Sequence, residues 1–84
     1  MQQNDKELLK LLANRIKTLR SARSKSMNKF VSERGFISTS TLNRVENGTG
    51  DVGFTKVVRI ANALDITLSE LFEGFDFKYE PDDD

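Results

Sequence analysis

The stretch Ser38-Thr-Ser-Thr-Leu-Asn-Arg-Val-Glu-Asn-Gly48 decides the fold. Wound as a helix at 100° per residue, it places Thr39, Ser40, Asn43, Arg44 and Asn47 within an arc of about 140°. Leu42, Val45 and Glu46 fall on the other side. One face is short-chained, polar and hydrogen-bonding; the other is apolar with one carboxylate at its edge. Ser38 suits an N-cap, because its hydroxyl accepts from the free amides of the first turn. Gly48 suits a terminator, because it enters the left-handed region without strain. Such a helix offers the groups that a DNA major groove reads. An ordinary surface helix would also be polar outside, so the neighbouring residues must decide.

Working back towards the N-terminus, Gly35 ends a short second helix predicted from Met27 to about Arg34, capped by Ser26. Phe30 and Val31 are its inward residues. Phe36 and Ile37 are too apolar for both to lie in an exposed loop. Two short helices joined by a tight turn with Gly make a helix-turn-helix over about residues 26–47. Before them, Leu8, Leu12, Ile16 and Leu19 recur at helical spacing and predict a first helix over Asp5–Arg23, with Leu9 widening its stripe.

Beyond Gly48, the loop 49–53 carries Asp51 and is rich in Gly. A fourth helix is predicted from about Phe54 to Leu64, with Phe54, Val57, Val58, Ile60, Ala61 and Leu64 making it central to the core. Thr67 and Glu70 have capping-box spacing and open a fifth helix over Leu68–Glu73. Gly74 stops it. Phe75, Phe77 and Tyr79 then alternate with Asp76, Lys78 and Glu80 at the period of a strand. Two arrangements are open for this segment: pairing with its copy across a two-fold axis, or folding back on its own core. Asp82–Asp84 closes the chain as an expected disordered run, a DNA-mimicking brake being the alternative.

Composition narrows the chemistry. Eighty-four residues with neither Cys nor His exclude a disulfide framework and a thiolate site, and remove the commonest general base and imidazole ligand. No metal, cofactor or enzymatic activity is expected. No apolar run reaches the roughly 20 residues of a membrane span, and the N-terminus lacks the pattern of a signal peptide. A cytoplasmic protein is the default expectation. The net charge is zero, but residues 1–72 hold twelve Lys and Arg against seven acids, a net of +5. Residues 73–84 hold one against six, a net of −5. A basic body with an acidic tail is compatible with a nucleic-acid partner, because local charge sets the field.

The chain resembles the Cro and lambda-repressor type of helix-turn-helix, the XRE family of bacterial and phage regulators. The resemblance covers about Ile16 to Phe72. It rests on Ile16-x-x-Leu19-Arg20, Ser26, and Ser38-x-x-x-Leu42-x-x-Val45-Glu46-Asn47-Gly48. Ile60-Ala61-x-Ala63-Leu64-x-Ile66-x-Leu68-x-Glu70-Leu71 follows at suitable spacing. It implies an all-α, five-helix DNA-binding domain over residues 1–74, with residues 75–84 a short aromatic and acidic extension.

The resemblance also implies roles. Thr39, Ser40, Asn43 and Arg44 would read bases: Asn43 adenine, Arg44 guanine. Ser38, Asn47 and the amide of Met27 would meet phosphate, with Lys25, Lys29 and Lys56 as further backbone contacts. Arg20 would pair with Glu46, whose unpaired burial would cost several kcal/mol. The implied partner is double-stranded DNA, bound by a homodimer on a palindromic operator, with Phe72, Phe75, Phe77 and Tyr79 as candidate dimer residues. A repressor is the first reading. An antitoxin that also binds a toxin, or a restriction–modification controller, is the alternative. The chain departs from the family in three places. Met27 replaces a common Gln, the turn at Phe36-Ile37 is one residue longer, and the loop after Gly48 lacks basic residues.

Overall fold

A computed structural model of the chain describes residues 3–81, so the run Asp82–Asp84 and the expectation placed on it lie outside the described residues. Five helices follow in order: α1 (Gln3–Arg23), α2 (Met27–Arg34), α3 (Thr39–Glu46), α4 (Phe54–Ala63) and α5 (Leu68–Leu71). The architecture is all-helical, with no strand among the described residues.

α1 is the axis of the packing. Leu12, Ala13, Ile16 and Arg20 are its buried residues, on the stripe that four-residue spacing sets. α3 packs across α1 and α2, and α4 packs against α5. Ile16, Leu42, Ile60, Leu64 and Leu71 are the largest fully buried side chains, so the first, third, fourth and fifth helices meet in one core, joined by Phe30 of α2.

Local chemistry sets the helix ends. The Ser26 and Ser38 hydroxyls accept from Lys29 N and Thr41 N, each at 3.2 Å. Gly35 turns the chain at φ 72° and Gly48 at φ 68°, where a Cβ would be strained. At α5 the capping box closes both ways: Glu70 N donates to Thr67 Oγ1 at 3.0 Å, and Thr67 N donates to Glu70 Oε1 at 2.9 Å. The Thr67 amide holds the Glu70 carboxyl below its usual range. Two arginines stop helix C-termini by donating to their last carbonyls. Arg15 reaches Leu71 O at 3.1 Å and Glu70 O at 2.8 Å, and Arg34 reaches Ala63 O at 2.8 Å.

Three expectations need correction. Phe54 is not core: at the first position of α4 it is 69% exposed, because the first turn projects past the layer that Val57 and Ile60 enter. α5 ends at Leu71 rather than Glu73, where Phe72 N bonds back to Leu68 O and the chain turns through Gly74. The strand period of Phe75–Tyr79 produces no strand, because no neighbouring strand offers a ladder. The segment instead folds back on the molecule. Phe75 meets Phe72 edge to face at 5.2 Å, and Phe77 meets Tyr79 likewise at 5.3 Å. Asn4 Nδ2 donates to Glu80 O at 3.3 Å, and the Tyr79 hydroxyl donates to Asp5.

That last bond has a measurable consequence. Hydrogen bonding to Asp5 pushes the Tyr79 phenol above its ordinary value, with burial and the charges of Asp5 and Asp51 adding to the shift. Tyr79 is the one tyrosine in a chain without tryptophan, so phenolate absorbance reports it alone. A raised value in the folded state means the contact stabilises fully below the ordinary phenol range and is lost as pH rises through the folded value. Asp5→Asn is expected to move the titration back towards that of free tyrosine. An unshifted titration in the variant would show that the tail does not dock there.

Candidate nucleic-acid interface

α3 is amphipathic by position and amphipathic by exposure. Leu42, Val45 and Glu46 are buried, while Ser40, Asn43, Arg44 and Asn47 are exposed and Thr39 is half-buried. Leu42 has no exposed surface at all and anchors the helix in the core. The polar face therefore stands outward on a short helix whose inner face cannot rotate away.

Glu46 is the point where that orientation is held. Arg20 Nε donates to Glu46 Oε2 at 2.9 Å, and Nη2 donates to Oε1 at 2.8 Å. This is a bidentate fork, the strong form of an ion pair. Arg20 Nη1 also donates to Ser24 O and Lys25 O, each at 3.0 Å. One buried guanidinium thus joins α1, the end of α3 and the connector that leads into the Ser26 cap. Hydrogen bonding to Glu46 raises the Arg20 pKa above its already high value, against the opposing effect of burial. No buried side-chain polar atom among the described residues lacks a partner.

The helix starts carry a second feature. Caps occupy the amides of Lys29 and Thr41, and Phe30 N and Leu42 N bond to the cap carbonyls at 3.0 Å. The amides of Met27 and Asn28 at α2, and of Thr39 and Ser40 at α3, are left at the helix tips without an internal acceptor. Such amides, at the positive ends of helix dipoles, suit phosphate oxygens. Lys25 and Lys29 are exposed beside the start of α2, and Met27 is half-buried against the core.

Lys56 lies on the other side of α3. It shares a shallow cleft with Thr41, Arg44 and Thr49. Asp51 lines the same cleft, so its wall carries both signs of charge. Thr41 was not legible as a site residue because it falls about 60° outside the polar arc. Its hydroxyl accepts from Ser38 Oγ at 2.9 Å and it faces the cleft with Arg44. The structure does not bring Phe72, Phe75, Phe77 and Tyr79 into this region; Phe72 and Phe75 pack on the core and Tyr79 lies over the start of α1.

Among the described residues, Arg20–Glu46 is the one ion pair, leaving Lys25, Lys29, Arg44 and Lys56 free to meet anions. No helix of the described residues is long and apolar enough to cross a membrane. Residues 16–71 match a family model described as helix-turn-helix, well over half of the chain. No curated protein and no solved structure matches the chain.

Proposed function

The chain belongs to the lambda-repressor-like (XRE) helix-turn-helix family of DNA-binding regulators, and from that premise we propose a sequence-specific repressor that binds a two-fold symmetric operator as a dimer. One observation carries the reading. α3 holds Ser40, Asn43 and Arg44 outward on a helix whose opposite face is locked by Leu42, Val45 and the Arg20–Glu46 fork.

In this reading α3 enters the major groove with its N-terminal half towards the bases. Arg44 donates two hydrogen bonds to a guanine edge, Asn43 addresses adenine, and Thr39 and Ser40 supply hydroxyl and methyl contacts. The free amides of Met27 and Thr39, with Ser38, Asn47, Lys25, Lys29 and Lys56, hold phosphates and set the register. Half-sites sit about one helical turn apart.

Arg44→Ala provides the test. Titrated against duplexes that differ at single base pairs, the variant is expected to lose about 1–3 kcal/mol of discrimination at one position of each half-site and to keep the others. Its melting should not change, because Arg44 is exposed. An unchanged base preference at every position would remove Arg44 from the reading face.

A further inference from the structure

Lys6, Lys10 and Lys17 of α1 take no part in the proposed site. At 100° per residue they fall within an arc of about 40° and span about 16 Å of the helix. All three are exposed. None takes part in an ion pair among the described residues. Glu7, the α1 carboxylate nearest to the stripe, lies about 60° round from Lys10 and pairs with none of them. Asp5 is turned away from the stripe and accepts from Tyr79.

Packing fixes which flank of α1 the stripe occupies. Ala13 and Arg20 border it, and both are buried. Arg20 forks onto Glu46 at the end of α3. A Cβ on Gly48, at the turn after α3, would lie 3.6 Å from Ala13 Cβ and from Lys10 Cα and Cγ. The lysines therefore run along the flank of α1 that holds the C-terminal turn of α3. The opposite flank belongs to α5, where Arg15 donates to Leu71 O. Asn47, exposed and one residue before Gly48, continues the polar surface onto α3.

We infer that Lys6, Lys10 and Lys17 bind the phosphate backbone of duplex DNA outside the base pairs that α3 reads. The N-terminal half of α3 faces those bases, and the stripe starts from its other end. Lysine suits the task, as a point charge on a flexible stem that needs no fixed geometry. Phosphates of one strand recur about every 3.4 Å of helix axis, so a stripe of about 16 Å can follow several of them. Each half-site is then gripped twice. α2 and α3 hold the phosphates around the bases that are read, and α1 holds the run beyond. The inference rests on the DNA-binding reading and extends its footprint.

Two duplexes separate the grips. One carries the operator and ends at the outer edges of its half-sites; the other continues about one helical turn further on each side. With one phosphate per lysine, the wild-type dimer is expected to show a slope of log K against log salt that is steeper by about 5 on the longer duplex. Its preference for that duplex then shrinks about 10³-fold between 50 and 200 mM salt. Lys6→Gln, Lys10→Gln and Lys17→Gln combined are expected to bring the slope on the longer duplex down to that on the shorter one. Affinity for the shorter duplex and base preference should not change. Glutamine keeps the methylene that lies beside Gly48, so melting should not change either. Arginine at the same three positions should keep the wild-type slopes, because a guanidinium also meets phosphate. Equal wild-type slopes on the two duplexes would overturn the inference, as would a triple Gln variant that keeps the wild-type difference. A triple variant that weakens both duplexes alike would also overturn it and leave the lysines a share in overall charge alone. These three results leave the DNA reading standing. A chain that binds neither duplex would overturn that reading and the inference with it.

Discussion

Arg20→Ala is expected to destabilise the protein by about 3–5 kcal/mol, because it leaves Glu46 charged, buried and without its partner. A domain of this size has a total stability of roughly 4–13 kcal/mol, so much of it would go. The melting temperature should fall by more than about 12 °C. Arg20→Lys is expected to fail nearly as badly. An ammonium cannot supply the Nε and Nη2 fork to both oxygens of Glu46 while also reaching Ser24 O and Lys25 O. Replacing both partners, as Arg20→Met with Glu46→Leu, should restore much of the loss, because no charge is then stranded. Thermal melting of the three variants checks this. An unchanged melting temperature in Arg20→Ala would mean that the pair does not hold α3.

The second large effect is on affinity. With Lys25, Lys29 and Lys56 each meeting one phosphate, a dimer neutralises about six, and log K falls with log salt at a slope of about −5. Binding to an operator duplex is then expected to weaken about 10³-fold between 50 and 200 mM salt. Removing any one of the three lysines should reduce the slope by about 2, one phosphate per copy. Titration by fluorescence anisotropy at several salt concentrations reads both numbers. A slope near zero would contradict phosphate binding, and an unchanged slope in a lysine variant would remove that lysine from the interface.

Much of this molecule is legible in the residues. The α1 stripe, the serine caps at 26 and 38, the capping box at Thr67 and the two faces of α3 are local patterns. Each follows from helical spacing or first-turn hydrogen bonding alone. The Arg20–Glu46 fork is not local; the family resemblance implied it, and the structure supplies its geometry and its links to Ser24 and Lys25. Other features have no local signature. Arg15 and Arg34 stop helices that lie 56 and 29 residues further along the chain. Nothing in the spacing of a long basic side chain announces such a reach. Ile37 is buried while Phe36 beside it is 45% exposed, because a turn can send only one of two neighbours inward. Periodicity alone placed Phe54 in the core, yet a residue at a helix start can lie beyond the layer its own helix packs into. The alternation of Phe75, Phe77 and Tyr79 does put one side inward, but a strand also needs a partner edge, which no pattern within the segment can provide.

The central claim is that the outward face of α3 reads duplex DNA. Selection of bound sequences from a pool of randomised duplexes tests it most directly. The expected result is one enriched motif with two-fold symmetry, its half-sites about one helical turn apart, that is lost when Ser40, Asn43 and Arg44 are replaced together by alanine in a chain that still melts cooperatively. Recovery of duplexes with no shared motif, or of the same motif from the triple variant, would contradict it.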